Sequence, residues 1–231
     1  MEGLPCLIFP AMAALVVVLI VVGVLQARKR REESARLAAS LGFDFHPDDP
    51  WDLPDRYGHF DLFKRGHSRR ASNLLCGQVD GRPVTAFDYK YTTGSGKNQS
   101  THYYQAAVFA LPILAANLHL RNETVFDRVA SWVGYDDIDF ESDEFSRRYH
   151  VKCTDRKFAY DVFHARLIEY LLRCGEAPDL EMSGPLMVVF DSRGEVAQVR
   201  RLLAVGGQIV RSIPDYVLSA RGLKGVAGGI G

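Results

Sequence analysis

Apolar and polar positions divide this chain into one long uncharged run at the N-terminus and a series of shorter, patterned segments after it. Leu4 to Gln26 carry no charge, and Leu7, Ile8, Phe9, Met12, Leu15–Ile20, Val21, Val22, Val24 and Leu25 dominate the run. As a helix rising ~1.5 Å per residue it measures roughly 34 Å, enough for a hydrocarbon core of ~30 Å with some tilt. A helix also pairs its own backbone groups, which lipid requires. Pro5 and Pro10 fall near its start, where a missing N–H costs least. A cleaved secretory signal would carry positive charge ahead of the apolar region. Here Glu2 is the only charged side chain there, so the run is read as an uncleaved anchor.

Beyond the anchor the pattern changes period. Arg31 to Leu41 place Leu37, Ala38 and Leu41 on one side of a helix that continues the anchor as a stalk, with Gly42 as its stop. Residues 43–59 hold Pro47, Pro50 and Pro54 around Trp51 and read as an ordered loop or a linker. Ser72–Val79 and Pro83–Tyr91 flank Asp80-Gly81, a strong hairpin signal because these residues accept positive φ. Val84, Ala86, Asp88 and Lys90 alternate with Phe87, Tyr89 and Tyr91, predicting two faces of one strand. A third strand is expected over His102–Leu111, a fourth over Asn117–Arg121 and a further one over Phe145–Val151. Helices are expected after Asn122, ending at Gly134; over Arg156–Arg173, capped by Asp155; and over Glu195–Ile213, weakened or kinked at Gly206-Gly207. A short strand is expected over Leu186–Phe190. Strands first, then strands mixed with helices, predict an α+β domain. The expected architecture is therefore a single transmembrane helix followed by an antiparallel-sheet domain with packed helices. Its divisions are an anchor (1–27), a basic juxtamembrane stalk and linker (28–58), an α+β domain (59–221) and a flexible Gly-rich tail (222–231).

Charge fixes an orientation. Arg28, Lys29, Arg30, Arg31 and Arg36 follow the apolar run and no basic side chain precedes it. Lys and Arg are retained on the cytoplasmic side, which predicts a single-pass protein of the inner (cell) membrane with its N-terminus out and its domain in the cytoplasm. Arg28, Lys29, Arg30 and Arg31 are the expected membrane-interface residues, each contributing ~1 kcal/mol toward anionic headgroups. Lys+Arg and Asp+Glu are equal at 28 each, so there is no basic surplus of the kind a nucleic-acid binder carries.

Chemical motifs are sparse. Gly94-Ser95-Gly96-Lys97 lacks the flanking Gly and the following Ser or Thr of a P-loop. Asp136, Asp137, Asp139, Glu141, Asp143 and Glu144 crowd one segment, and alternation within it would put three acids on one strand face, where a hard cation can sit. The EF-hand positions of Gly and Glu hold Ser142 and Arg148, so the segment is read as a solvated edge strand and no metal is assigned. His150 and Cys153 point to opposite faces of a strand and make no nucleophile pair. Cys76, Cys153 and Cys174 show no C-x-x-C spacing and are read as small buried hydrophobes. Lys64, Arg65, Arg69 and Arg70 with His67 form a second basic group, read as a solvated loop or a second bilayer contact. The best ligand-binding candidates are Tyr89, Tyr91, His102 and Tyr104, polar aromatics at one end of two neighbouring strands, with Tyr103 among them. No catalytic residue, cofactor or metal ligand is assigned.

Phe87-Asp88-Tyr89-Lys90-Tyr91 after a hairpin, and Phe145-Ser146-Arg147-Arg148-Tyr149-His150-Val151 followed by Asp155 and a helix, resemble a family of uncharacterised bacterial membrane-tethered proteins known only as a domain of unknown function. The likeness runs loosely from Trp51 to Phe190. It implies a bacterial source and N-terminal membrane attachment and supplies no catalytic residues. The expected function is a binding or scaffolding module at the inner membrane face, with the lipid bilayer and a protein or anionic lipid as partners. The alternatives are a membrane-associated hydrolase acting on a small or lipid-derived substrate, and an anionic-lipid-sensing domain.

Overall fold

A computed structural model describes residues 5–122 and 138–223 of the chain. The N-terminal helix, α1, runs without a break from Pro5 to Leu41. Its apolar residues from Met12 to Leu25 are exposed, and it is the one described helix long and apolar enough to cross a membrane. Its last turns behave differently: Ser34, Leu37 and Ala38 are buried against the domain. Gly42 (φ 69°) stops the helix, and the Phe43 amide folds back onto the Ala38 carbonyl at 2.9 Å.

The stretch expected as a loop or linker contributes a strand, β1 (Asp44–Asp48), and a short helix, α2 (Leu53–Arg56); a second short helix, α3 (Asp61–Lys64), follows it. β2 (His67–Val79) and β3 (Arg82–Thr93) form the expected hairpin, with Asp80 and Gly81 at φ 52° and 74°. β4 (Ser100–Asn122) is a single 23-residue strand, where two strands are expected from the sequence. Its register shifts between Ala110 and Leu118, which lets the strand carry Pro112 without breaking. β5 (Tyr149–Cys153) and β6 (Asp179–Ser192) complete an antiparallel sheet of six strands. β4 is its spine: β3 lies along its first half, β5 along its last five residues, and β6 along its other edge over most of its length.

Among the described residues four further helices follow β4, interleaved with the last strands, and a fifth closes the described chain. Asp143–Arg148 is α4, not the strand expected over Phe145–Val151. Ser142 accepts the Phe145 amide as its N-cap, Asp143 and Glu144 fill the first turn and Arg147 and Arg148 the last, so local capping overrides the strand pattern. The helix expected over 156–173 is two, α5 (Arg156–Val162) and α6 (Ala165–Arg173). The break buries Phe163 and lets the His164 ring reach the Ser212 carbonyl at 2.9 Å. α7 (Gln198–Arg211) and α8 (Asp215–Arg221) close the fold. The helix expected after Asn122, the residues Asp136 and Asp137, and the tail from residue 224 lie outside the described residues.

The sheet separates two cores. On one face Val84, Ala86, Ala107, Phe109, Met187 and Val189 meet α1 and the later helices. On the other, Phe87, Tyr89, Tyr91, Val108 and Phe190 meet Leu53, Phe60, Leu62 and Phe63 from the α2–α3 segment. The alternation expected along β3 is the division seen between these cores. α7 is continuous through Gly206, where a Cβ would fall 2.2 Å from the Phe109 ring. The glycine pair therefore brings the helix close to β4 instead of ending it. Gly206→Ala is expected to cost about 1–3 kcal/mol through overpacking. A lower urea midpoint for the full chain in detergent checks this.

Candidate functional site

Three polar assemblies organise the molecule, and only one of them opens to solvent. The first joins α1 to the sheet. Arg30 donates from Nε and Nη2 to the two carboxylate oxygens of Asp88 on β3, each at 2.6 Å, and from Nη1 to the Gly194 carbonyl at 2.9 Å. Asp88 also accepts from Asn73 Nδ2 at 2.9 Å. Asn73 sits at φ 52° where the β2 register shifts, a conformation Asn tolerates better than most residues. A fork-to-fork guanidinium–carboxylate pair of this kind fixes orientation as well as distance. Across the same sheet face Asp88 pairs in register with Gln105, and Gln105 with Asp191 of β6. Asp191 accepts from Gln198 Nε2 at 3.0 Å. Gln105 is fully buried, and its side-chain amide makes no hydrogen bond to protein.

Of the four expected membrane-interface residues, Arg30 is thus turned inward, with its side chain 19% exposed. Lys29 and Arg31 are exposed and lie 3.9 Å from Glu33 and 3.6 Å from Asp48. Arg28 is also exposed.

The second assembly is buried on the opposite face. Arg121 contacts Glu181 at 2.5 Å and Asp179 at 3.8 Å, and its guanidinium lies 4.6 Å from the Phe190 ring centroid. Glu181 in turn accepts the amides of Asp61 (2.6 Å) and Leu62 (3.1 Å), the free donors at the start of α3. A carboxylate from β6 therefore caps a helix 120 residues earlier in the chain. Burial pushes the Asp179 carboxyl up, against the pull of Arg121. It pushes the His119 imidazole down to about 4, so this ring is neutral near pH 7. Glu181, Asp179, Arg121, Asp61 and His119 are all buried, and neither of the clefts of the molecule described below is lined by them. Such a set holds a sheet to its covering segment.

The expected ligand cluster does come together, as a stack. Tyr91 lies 4.9 Å from His102 and 5.8 Å from Tyr104, nearly parallel to both, and the two tyrosine hydroxyls are 3.5 Å apart. His102 Nε2 meets Thr93 Oγ1 at 2.9 Å. Tyr89 is buried edge-on to Phe63 at 4.9 Å, and burial pushes Tyr104 up to about 12. The second basic group is spent locally: Lys64 pairs with Asp61, Arg65 with Tyr91, Arg69 with the Phe63 carbonyl and Arg70 with Asp48. Of the acidic segment, Asp139 and Glu141 are exposed while Ile138 and Phe140 are buried; no metal-ligating group of three is present among the described residues. Cys153 is buried, and Cys76 and Cys174 are half-buried; burial raises the Cys76 and Cys153 thiols.

The third assembly is a cleft of about 960 Å³ between α1 and the Arg193–Ala197 loop that links β6 to α7. Gly23, Gln26, Ala27, Arg30, Glu33 and Leu37 form its α1 wall, and Tyr103 with the loop forms the rest. Those wall residues recur at helical spacing and begin inside the apolar run. Arg193 lies over the Tyr103 ring at 4.2 Å, and Lys29, Arg36 and Glu195 also border the space. A second cleft of about 280 Å³ lies between α7 and the β2–β3 turn, where Arg211 pairs with Asp80.

Sequence comparison matches no family model and no curated protein. Comparison of folds matches the crystal structure of the mycobacterial trehalose monomycolate transport factor A, TtfA, with a TM-score of 0.57 and 15% sequence identity, over 81% of this chain and 96% of that one. At that identity the likeness is one of fold, and it is consistent with an uncharacterised family. It establishes the α+β architecture behind an N-terminal apolar helix.

Reading the sequence misses Arg121, Glu181, Arg193 and the pairing of Arg30 with Asp88. The signal for Glu181 lies in Asp179-Leu180-Glu181-Met182, where acids alternate with buried apolar residues as they do on a two-sided strand. Glu181→Ala leaves Arg121 buried with only the more distant Asp179 as a counter-charge and α3 uncapped; a loss of about 3–5 kcal/mol is expected in chemical unfolding. His119 binds a proton more readily unfolded than folded, so between pH 6.5 and about 4 stability is expected to fall as pH falls. His119→Gln flattens that part of the stability–pH curve if the ring is its source.

Proposed function

We propose that the chain is an uncleaved single-pass membrane protein whose α+β domain serves as a binding and scaffolding module held against the inner face of the membrane. The observation that carries this reading is the passage of α1 from its exposed apolar turns directly into the domain, with Arg30 clamped to Asp88 just past the apolar run. A separate signal segment has no use for such a clamp, whereas a permanent anchor gains a fixed geometry from it. The basic residues that follow the run support N-terminus out and domain in the cytoplasm. The fold neighbour is a transport factor for trehalose monomycolate, which supports a membrane-associated, lipid-related role. The hydrolase alternative, drawn from the tyrosine–histidine cluster, needs those groups to converge in an accessible pocket. The buried Arg121–Glu181 set and the stacked tyrosines do not supply that arrangement.

A reporter active only in the cytoplasm, fused after Gly231, is expected to be active, and protease added outside intact cells is expected to leave the domain whole. Digestion of the domain from outside overturns the orientation. Arg30→Ala is expected to cost about 1.5–3 kcal/mol of domain stability while leaving the chain in the membrane fraction. Unchanged unfolding would remove the clamp from the argument.

A further inference from the structure

The cleft beside α1 has a composition that the scaffold role does not explain. One wall starts at Gly23, Gln26 and Ala27, where side chains are small or uncharged, and continues to Arg30, Glu33 and Leu37. A Cβ at Gly23 would touch nothing within 4 Å, so the wall is open there. The same space is therefore bordered by the apolar helix at one end and by charged groups at the other. Lys29, Arg30, Arg36 and Arg193 supply cations; Glu33 and Glu195 supply carboxylates; Tyr103 supplies an aromatic face, 42% exposed. Three of these cations have partners within the protein: Arg30 is held by Asp88, Lys29 lies 3.9 Å from Glu33, and Arg36 donates from Nε alone to the Glu32 carbonyl at 3.4 Å. Arg193 has no carboxylate partner among the described contacts; it is held over Tyr103. Arg30 ties the two walls together through the Gly194 carbonyl, so the loop is held at a set distance from the helix.

We propose that this cleft binds the headgroup of an anionic phospholipid with free hydroxyls, of the phosphatidylglycerol or phosphatidylinositol class, drawn laterally from the leaflet that α1 crosses. The phosphodiester meets Arg193 and Arg36, Glu195 and the Tyr103 hydroxyl accept or share hydrogen bonds with the headgroup hydroxyls, and one acyl chain follows α1 past Ala27 and Gly23. A bare phosphate would not need the carboxylates. A zwitterionic lipid would also set its phosphate on a cation, but the cations of the lining outnumber its carboxylates even with Arg30 taken up by Asp88, which favours a headgroup of net negative charge. The proposal deepens the reading given above and rests on α1 spanning the bilayer.

The test uses the full chain in nanodiscs of phosphatidylcholine doped with phosphatidylglycerol carrying a photoreactive headgroup, with peptide mapping of the label. The expected label falls on Tyr103 and on residues 193–197. Arg193→Glu, an exposed substitution, reduces it about fivefold or more, one charge near a surface being worth ~1 kcal/mol. Lys90→Glu, exposed beside Tyr103 on the sheet but outside the cleft, leaves it largely unchanged. Excess soluble glycerophosphate does not displace it, since the acyl chain contributes. Equal labelling by a phosphatidylcholine probe, or equal loss from Lys90→Glu and Arg193→Glu, overturns the site and leaves only diffuse attraction. Displacement by glycerophosphate assigns the site to a free phosphate and overturns the lipid. If the chain does not stay in the discs at all, the membrane-spanning reading fails and takes the proposal with it; if it stays but the label lies elsewhere, the site alone fails.

Discussion

Arg30 stands where two solvents meet. A turn before it the exposed apolar stretch of α1 ends, at Leu25; on its C-terminal side the helix becomes part of a packed domain. The guanidinium satisfies Asp88 on β3 and the carbonyl of Gly194 at once, so helix, sheet and the β6–α7 loop share one fixed point. An ion pair this closely fitted is costly to break from one side, because the remaining carboxylate is left in a poorly hydrated place. The cleft, the placement of the basic collar and the attitude of the sheet all follow from that contact.

β4 distributes the rest of the load. It is flanked by β3, β5 and β6, and its two faces look into different cores. Each core has a polar knot. The Arg30–Asp88 group ties α1 to one face, and the Arg121–Glu181 group ties the α2–α3 segment to the other. Neither is a reactive arrangement. Both exchange the hydration of charged groups for direct, directional contacts, which specify how a covering segment docks on a sheet that apolar contact alone would hold less specifically.

Much of this was legible in the residues. Asp80-Gly81 announced its hairpin, the alternation along Val84–Tyr91 announced two cores, and the uncharged run announced the helix. Three misreadings share one cause, which is that a local signal was outweighed by a contact far away in sequence. His102–Leu111 and Asn117–Arg121 read as two strands where there is one, because the register shift that carries the strand through Pro112 has no marker in composition. The strand expected over Phe145–Val151 begins only at Tyr149, because the Ser142 cap turns the residues before it into a helix. The 156–173 helix breaks without glycine or proline, because burying Phe163 and bonding His164 to a carbonyl of α7's C-cap outweigh continued helix. The tyrosine–histidine group was placed together correctly, but adjacency on a sheet does not by itself make a cavity. Arg193 and Tyr103, which border the cleft, lie 90 residues apart and acquire meaning only when β6 is laid against β4.

One consequence follows from the unbroken course of α1 between Leu25 and Leu41. A domain on a long, pliable leash sweeps a hemisphere and meets objects well away from its point of attachment. A domain mounted on a stiff post, with no joint at its base, sweeps a thin disc instead. In the anchored state proposed above, such a domain meets its partners by sliding sideways within the plane, and objects out of reach of that plane are invisible to it however abundant they are.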